Sequence, residues 1–246
     1  MSCFKNKVVV ITGAGSGIGR ALAQQCAVRG AHLALSDINA EGLAATVSSL
    51  PAGTSDTTYI VDISKRESEF AHDADVQRDF GTPHFVINNA RVLMTGTFDH
   101  MSLEEIEWQL NINLWGVIYG NKAFLPMLLA QREGCIVNMS STLGLVGLPI
   151  QSAYNIAQFG VRGLRVSRRH PHQSRQGRTP MRQGGAEEAR YDGLAEKMQS
   201  TTPTDCANHI LDGIERGDLR ILPGNKASNL TGWRAYCHRA TPKYSR

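Results

Sequence analysis

Short apolar runs alternate with amphipathic stretches along the first two thirds of the chain. Val8-Val9-Val10-Ile11 is continuous and β-branched, the pattern of a strand buried on both faces. Behind it, Ile18, Leu22 and Cys26 recur at helical spacing. Read in order, the pattern predicts strands at 7–12, 31–36, 57–61, 83–88 and 135–140, interleaved with helices at 18–29, 40–49, 65–79, 103–131 and 152–164. Gly30 closes the first helix, and Pro51-Ala52-Gly53 turns the chain after the second. Ser102-Leu103-Glu104-Glu105 has the form of a capping box opening the long helix. Such alternation predicts right-handed βαβ units, an α/β doubly wound parallel sheet between two helical layers, and a single domain spanning 1–246.

The pattern stops after Leu164. The stretch Arg165–Arg182 follows neither the strand period nor the helix period, and it contains no apolar run that could serve as a central parallel strand. The outer edge of the 135–140 strand is therefore expected to be bare, and 165–190 to be an irregular basic insert. Two origins fit this composition: a solvated loop, or a segment translated from a shifted reading frame. The abrupt onset and the clean recovery favour the second. Order resumes with an amphipathic helix at 204–214, preceded by Pro203, and a last short strand at 219–222. The tail, 225–246, shows little pattern and is expected to be loosely held.

Composition changes the picture only locally. The net charge is +4, but 165–190 alone holds seven Arg and two Glu, a balance of +5, so the rest of the chain is close to neutral. A nucleic-acid surface would spread its positive charge over the folded part, and that class is set aside. The five cysteines are odd in number and scattered, as expected of thiols in a reducing compartment. Neither they nor the histidines have metal-ligand spacing, so no metal is expected. No apolar run is long enough to span a bilayer, and the N-terminal residues lack a targeting core. The expectation is a soluble, cytoplasmic protein with no membrane partner.

The chemistry starts at Thr12-Gly13-Ala14-Gly15-Ser16-Gly17-Ile18-Gly19, in the turn between the first strand and the first helix. There a dinucleotide pyrophosphate can meet backbone N–H groups and the positive end of a helix dipole. Glycine at 13, 17 and 19 lets the turn tighten, the phosphate approach and the helix pack on its strand. Asp37 ends the second strand, where a carboxylate accepts hydrogen bonds from both adenosine ribose hydroxyls and repels a 2′-phosphate. No Arg or Lys stands nearby to hold such a phosphate, so NAD is expected over NADP. A cap for the following helix is the alternative use of Asp37.

Thr-Gly-x-x-x-Gly-Ile-Gly, with Asp37, Asp62, Asn88-Asn89-Ala90, Asn113, Ser141 and Tyr154 after it, resembles the short-chain dehydrogenase/reductase family, over 5–164 and more weakly over 200–224. The resemblance implies a Rossmann-type fold and NAD(H)-linked interconversion of an alcohol and a carbonyl. It implies cofactor contacts at Gly13, Ser16, Gly17, Ile18, Gly19, Asp37, Asp62, Ile63, Asn89 and Ala90, with the Asp62 side chain and Ile63 backbone on the adenine. Asp62 serves equally well as a cap for the 65–79 helix. Tyr154 would be the general acid/base, Ser141 would hold the reacting oxygen, and Asn113 would anchor a water in the proton relay. Leu93, Met94, Leu145, Val146 and Leu148 would border the substrate, implying an apolar alcohol or ketone. Relatives pair through the 103–131 and 152–164 helices, which implies a homo-oligomer.

Two positions depart from the family. Relatives carry Gly after Asn-Asn-Ala; here Arg91 brings bulk and a charge suited to the pyrophosphate. Relatives carry Lys four residues after the Tyr, one helical turn away on the same face; here that residue is Gln158. An unperturbed Tyr titrates at about 10, and a neighbouring cation lowers that value. If the Lys contributes about two pH units, its loss costs about 2.7 kcal/mol, or ~100-fold in reactive phenolate. A neutral amide still hydrogen-bonds a ribose. The rival function is therefore a catalytically inactive dinucleotide-binding or scaffold protein of the same fold.

Overall fold

The computed structural model describes residues 2–164, 201–218, 220–221 and 234–239. Five strands form the parallel body of one sheet: β1 (Val8–Thr12), β2 (His32–Asp37), β3 (Asp56–Ile60), β4 (Phe85–Asn88) and β5 (Cys135–Ser140). Two more, β6 (Arg220–Ile221) and β7 (Arg234–Arg239), extend it, and the spatial order is β3-β2-β1-β4-β5-β7-β6. The chain steps outward from β1 in one direction and then returns to the other side, so the order reverses between β1 and β4. That reversal opens a crevice at the carboxyl ends of the strands, the position where doubly wound sheets bind ligands. Register is fixed by side-chain alternation: Val10 pairs with Ala34 on one side and Val86 on the other.

The same alternation builds the three layers. Val9 and Ile11 point to one face of the sheet, with Leu22 and Cys26 of α1 (Gly17–Val28), Leu43 of α2 (Ala40–Ser48), and Ile210, Leu211 and Ile214 of α7 (Pro203–Arg216). Val10 points to the other, with Val76 of α3 (Arg66–Phe80) and Ala123, Phe124 and Leu128 of α5 (Gly116–Gln131). A central strand covered on both faces has no polar side, which is why β1 is an unbroken apolar run. Helix ends follow local chemistry. Asn39 caps α2, Thr202 caps α7 with Pro203 in its first turn, and the Ser102–Glu105 capping box opens α4 (Leu103–Leu110).

Three expectations change. The helix foreseen over 103–131 is divided: α4 and α5 are joined by a π-helical turn, Asn111–Trp115, around the buried Asn113. The 225–246 tail is not uniformly loose, because 234–239 forms β7, antiparallel to β5 with Cys135 opposite Arg239 and Ser140 opposite Arg234. The edge of β5 is thus covered, and by a strand of opposite sense to the one sought in the sequence. An unpaired row of N–H and C=O groups is a strong template, and pairing satisfies it without requiring a continuous apolar run. Third, the cysteines are not all thiols: Cys26 and Cys206 are, whereas Cys135 is disulfide-bonded. The short strand expected at 219–222 is present as β6, which pairs with β7. The insert at 165–190 lies outside the described residues. Among the described residues, no helix is long and apolar enough to cross a membrane, and no cluster of His, Cys, Asp or Glu could hold a metal ion.

Candidate active site

A cleft of about 520 Å³ opens at the carboxyl ends of β1, β2 and β4. Its walls include Gly13, Ser16, Gly17, Ile18 and Gly19 from the glycine turn, then Asp37, Asp62, Ile63, Asn89 and Ala90. Every residue assigned to cofactor binding from the sequence therefore lies in one cavity. Arg91, Val92, Thr201 and Pro203 complete the part of the wall that concerns the chemistry.

The glycines are needed for fit. A Cβ on Gly13, which has a φ of +67°, would stand 2.6 Å from Cα of Ala90, so the turn and the end of β4 touch backbone to backbone. A Cβ on Gly19 would collide with the carbonyl of Gly13. Gly17 has a φ of +50° and only open space where a side chain would go. Ser16 occupies the N-cap of α1 in extended conformation, yet its hydroxyl makes no capping bond. The helix N-terminus and that hydroxyl are left to face the cleft.

Hydrogen bonds stitch the turn to its neighbours. The backbone N–H of Gly15 donates to Oδ2 of Asp37 at 2.8 Å, and that of Asn39 to Oδ1 at 3.0 Å. Thr12 Oγ1 accepts from the N–H groups of Asn89 and Ala90 at 3.0 and 3.1 Å, and Nδ2 of Asn89 donates to the Thr12 carbonyl at 2.9 Å. Two further residues escaped sequence reading. Thr46 of α2 donates to the Ala14 carbonyl at 2.8 Å, and Arg20 of α1 donates to Thr46 Oγ1 at 3.0 Å and to the Gly15 carbonyl. The available signal was a threonine amid the apolar positions of α2 and an arginine directly behind the last glycine. Asp62 leans toward its structural use: Oδ1 accepts from the backbone N–H and the hydroxyl of Ser64, at 3.0 and 2.6 Å, at the entry to α3.

The remaining assigned residues meet deeper in the molecule. Ser141 follows β5, and its side chain hydrogen-bonds the hydroxyl of Tyr154 on α6 (Ser152–Gly163). Both are buried, at 6% and 3% exposure. Burial pushes the Tyr154 phenol above its ordinary value, while the positive charge of Arg91 and the Ser141 hydrogen bond pull it down. Gln158 is buried beside them at 1% exposure, and its Oε1 has no hydrogen-bond partner. Asn89 Oδ1 is in the same position. Orphaned acceptors of this kind are costly in a folded protein and fit a ligand that brings donors, such as ribose hydroxyls. Asn113 clamps the loop after β4: its Oδ1 accepts from the Val92 N–H at 2.9 Å and its Nδ2 donates to the Val92 carbonyl at 2.7 Å. Gly96 N–H donates to the Ile150 carbonyl at 2.8 Å, tying the loop that carries Leu93 and Met94 to the one that carries Leu145, Val146 and Leu148.

Arg91, whose charge the sequence suits to the pyrophosphate, stands in the wall of the same cleft as the glycine turn; burial lowers its guanidinium below the ordinary value.

Comparison with known proteins agrees with this geometry. The short chain dehydrogenase family model matches residues 7–178. The chain belongs to the short-chain dehydrogenase/reductase family. A Mycobacterium tuberculosis protein named as an oxidoreductase, SadH, is 39% identical over 250 residues, covering 92% of this chain and 89% of SadH. Among solved structures, a short-chain dehydrogenase/reductase from Burkholderia phymatum in complex with NAD is 36% identical with a TM-score of 0.64, covering 66% of this chain and 59% of that one. Levodione reductase is 33% identical with a TM-score of 0.64, covering 65% and 64%. The fold and the oxidoreductase family are thereby established, while this chain spans less than two thirds of either solved chain.

Proposed function

We propose that this oxidoreductase interconverts a small apolar alcohol and its carbonyl using NAD(H), within one dinucleotide-binding and catalytic domain. The observation that carries this reading is the buried Tyr154–Ser141 hydrogen bond, set behind a glycine-walled cleft whose deep end offers unpaired acceptors. The residues fit the cofactor. Gly13, Ser16, Gly17, Ile18 and Gly19 would hold the pyrophosphate, Asp37 the adenosine ribose, Asp62 and Ile63 the adenine, Asn89, Ala90 and Gln158 the nicotinamide end. NAD, when bound, supplies a hydride acceptor for alcohol oxidation, and its reduced form the donor for the reverse. Tyr154 takes the hydroxyl proton in oxidation and returns it in reduction, which is general base and general acid catalysis by one group. Ser141 donates a hydrogen bond to the reacting oxygen, and Asn113 orders the relay through which the proton leaves. The NAD-bound relative supports the choice of cofactor. The joined loops carrying Leu93, Met94, Leu145, Val146 and Leu148 supply an apolar substrate wall.

Exposed Trp108, Trp115, Ile156 and Phe159 on and beside α4 and α6 suit a homo-oligomer, the partner being a second copy. The test pairs an NADH fluorescence titration with a turnover assay on a panel of secondary alcohols; saturable binding with turnover supports the proposal. Binding without turnover selects the second reading, an inactive dinucleotide-binding or scaffold protein, which is favoured by the unpaired Gln158 Oε1 where relatives place a Lys.

A further inference from the structure

Two neighbouring carbonyls of the glycine turn are held by side chains that stand outside the cleft wall, Arg20 of α1 and the fully buried Thr46 of α2. Their hydrogen bonds run in one direction. A guanidinium has only donors, so Nε of Arg20 donates to Thr46 Oγ1 at 3.0 Å. The Thr46 hydroxyl has a single proton. Its nearer acceptor is the Ala14 carbonyl at 2.8 Å, against 3.1 Å for the Gly42 carbonyl within its own helix. The other arm of the guanidinium donates to the Gly15 carbonyl. A Cβ on Gly42 would stand 2.9 Å from that same Gly15 oxygen, so the start of α2 lies directly against the turn.

The described peptide bonds are all trans, and a trans peptide points its C=O and its N–H in opposite directions. Holding a carbonyl therefore aims the next N–H. With the Ala14 carbonyl held by Thr46, the Gly15 N–H is aimed at Asp37 and meets its Oδ2 at 2.8 Å. With the Gly15 carbonyl held by Arg20, the Ser16 N–H is turned away from Arg20, and Ser16 lines the cleft. Both peptide groups flank Gly15, whose backbone has few steric limits of its own. A stiffer residue is barred from that position, because a Cβ there would stand 2.8 Å from Asp37 Oδ2. The rigidity that the turn lacks in itself comes from α1 and α2.

We propose that Thr46 and Arg20 are positioning residues that divide cofactor recognition between them. Thr46, acting through Gly15 and Asp37, sets the choice between NAD and NADP. Arg20, acting through Ser16, sets the affinity for the pyrophosphate that both cofactors share. This deepens the NAD(H) reading and rests on it.

Equilibrium binding of NADH and NADPH, followed by fluorescence in the full chain, separates the two roles without any turnover. Thr46→Val keeps the shape and removes the hydroxyl; the ratio of NADH to NADPH affinity should drop by about threefold, and Thr46→Ser should restore it. Arg20→Met keeps the aliphatic stem and removes the fork. It should weaken both cofactors about tenfold and leave their ratio within about twofold. Arg20→Lys, which replaces the fork by one ammonium, should lose less, again for both alike, and serves if the Met variant does not fold. Amide hydrogen exchange in the absence of cofactor reads the aiming itself. The Gly15 amide should exchange faster in Thr46→Val and not in Arg20→Met, while the β1 amides stay protected in both.

An unchanged ratio in Thr46→Val, or a changed ratio with undiminished affinity in Arg20→Met, overturns the division. So does faster exchange throughout β1 in either variant, which would make the pair general supports of the fold. If the unaltered chain binds neither NADH nor NADPH, the dinucleotide reading falls and this proposal falls with it.

Discussion

The two ends of the cleft are built differently. At the adenosine end, polar groups are spent on one another: Asp37 accepts from Gly15 and Asn39, and Thr46 and Arg20 hold the carbonyls of Ala14 and Gly15. At the reactive end, acceptors are left over. Asn89 Oδ1 and Gln158 Oε1 have no partner, and below them both carboxyl oxygens of Glu69 are buried without one. A Cβ on Gly120 would meet Asn88 Oδ1 and Glu69 Oε1, so the carboxyl group lies against the asparagine that donates to Asn138 at 2.7 Å. The end that holds is finished by the protein alone. The end that reacts is completed by what binds there, and unsatisfied groups are the mark of that dependence.

The largest expected effect breaks the reactive end alone. Tyr154→Phe should lower kcat/KM by about 10³-fold, the scale of a lost general acid/base, while NADH affinity stays within about twofold. Steady-state kinetics and fluorescence titration read the two separately. Retention of a tenth of the rate would remove Tyr154 from the proton path, and a parallel loss of NADH binding would mean that the two ends are not separable.

The next effect is on stability. Burial first, and Asp73 second, raise the Glu69 carboxyl from its ordinary 4.5 to about 8. As pH rises, the unfolded chain releases this proton before the folded one does. The folded state therefore has its full advantage below pH 4.5 and loses it progressively up to pH 8. His72, lowered to about 4 by burial, and Asp73, raised to about 6 by burial, change below that upper range. Between pH 6.5 and 8 the loss is on the order of 2 kcal/mol. Glu69→Gln should flatten the decline in urea-unfolding stability over this interval. An equally steep decline in the variant would place the proton elsewhere.

Gln158→Lys sharpens the comparison by restoring the family's arrangement. The gain should be about 10-fold in kcat at neutral pH, with oxidation setting in at lower pH because the phenolate forms earlier. A pH–rate profile measures both. No gain at any pH would show that the charge on Tyr154 is not limiting.

The finished end is also the legible one. Glycine spacing, a following helix and an acid at the end of β2 are local patterns, and each residue so assigned lies in the cleft. The reactive end depends on contacts between residues far apart in sequence. Asn113 and Val92 are brought together by the π-helical turn and the loop after β4, and no periodicity reports on that. β7 was missed for the same reason: an edge strand is selected by the bare edge it covers, and Arg234–Arg239 shows no apolar run of its own. The π-helical turn at Asn111–Trp115 leaves the apolar pattern of the long helix unbroken, so only the clamp of Asn113 on Val92 reveals its use.

The smallest effect probes the finished end. Asp37 sits in the cleft wall with one oxygen accepting from Gly15 and the other from Asn39. Each carboxylate oxygen carries more than one lone pair, so both can also accept from ribose hydroxyls. A 2′-phosphate in that place would face a fixed negative charge, worth at least about 1 kcal/mol in water at contact distance, or ~5-fold in affinity. Asp37→Ala removes both the repulsion and the ribose acceptor. NAD affinity should fall, NADP affinity should rise, and their ratio should drop by about fivefold or more. The variant also releases the N–H groups of Gly15 and Asn39, which loosens the turn and weakens both cofactors together; the ratio cancels that common loss, whereas either affinity alone does not. Equal or tighter binding of NADP by the unaltered chain would remove Asp37 as the selector. An unchanged ratio in the variant would reduce it to what its present hydrogen bonds already make it, a brace for the glycine turn.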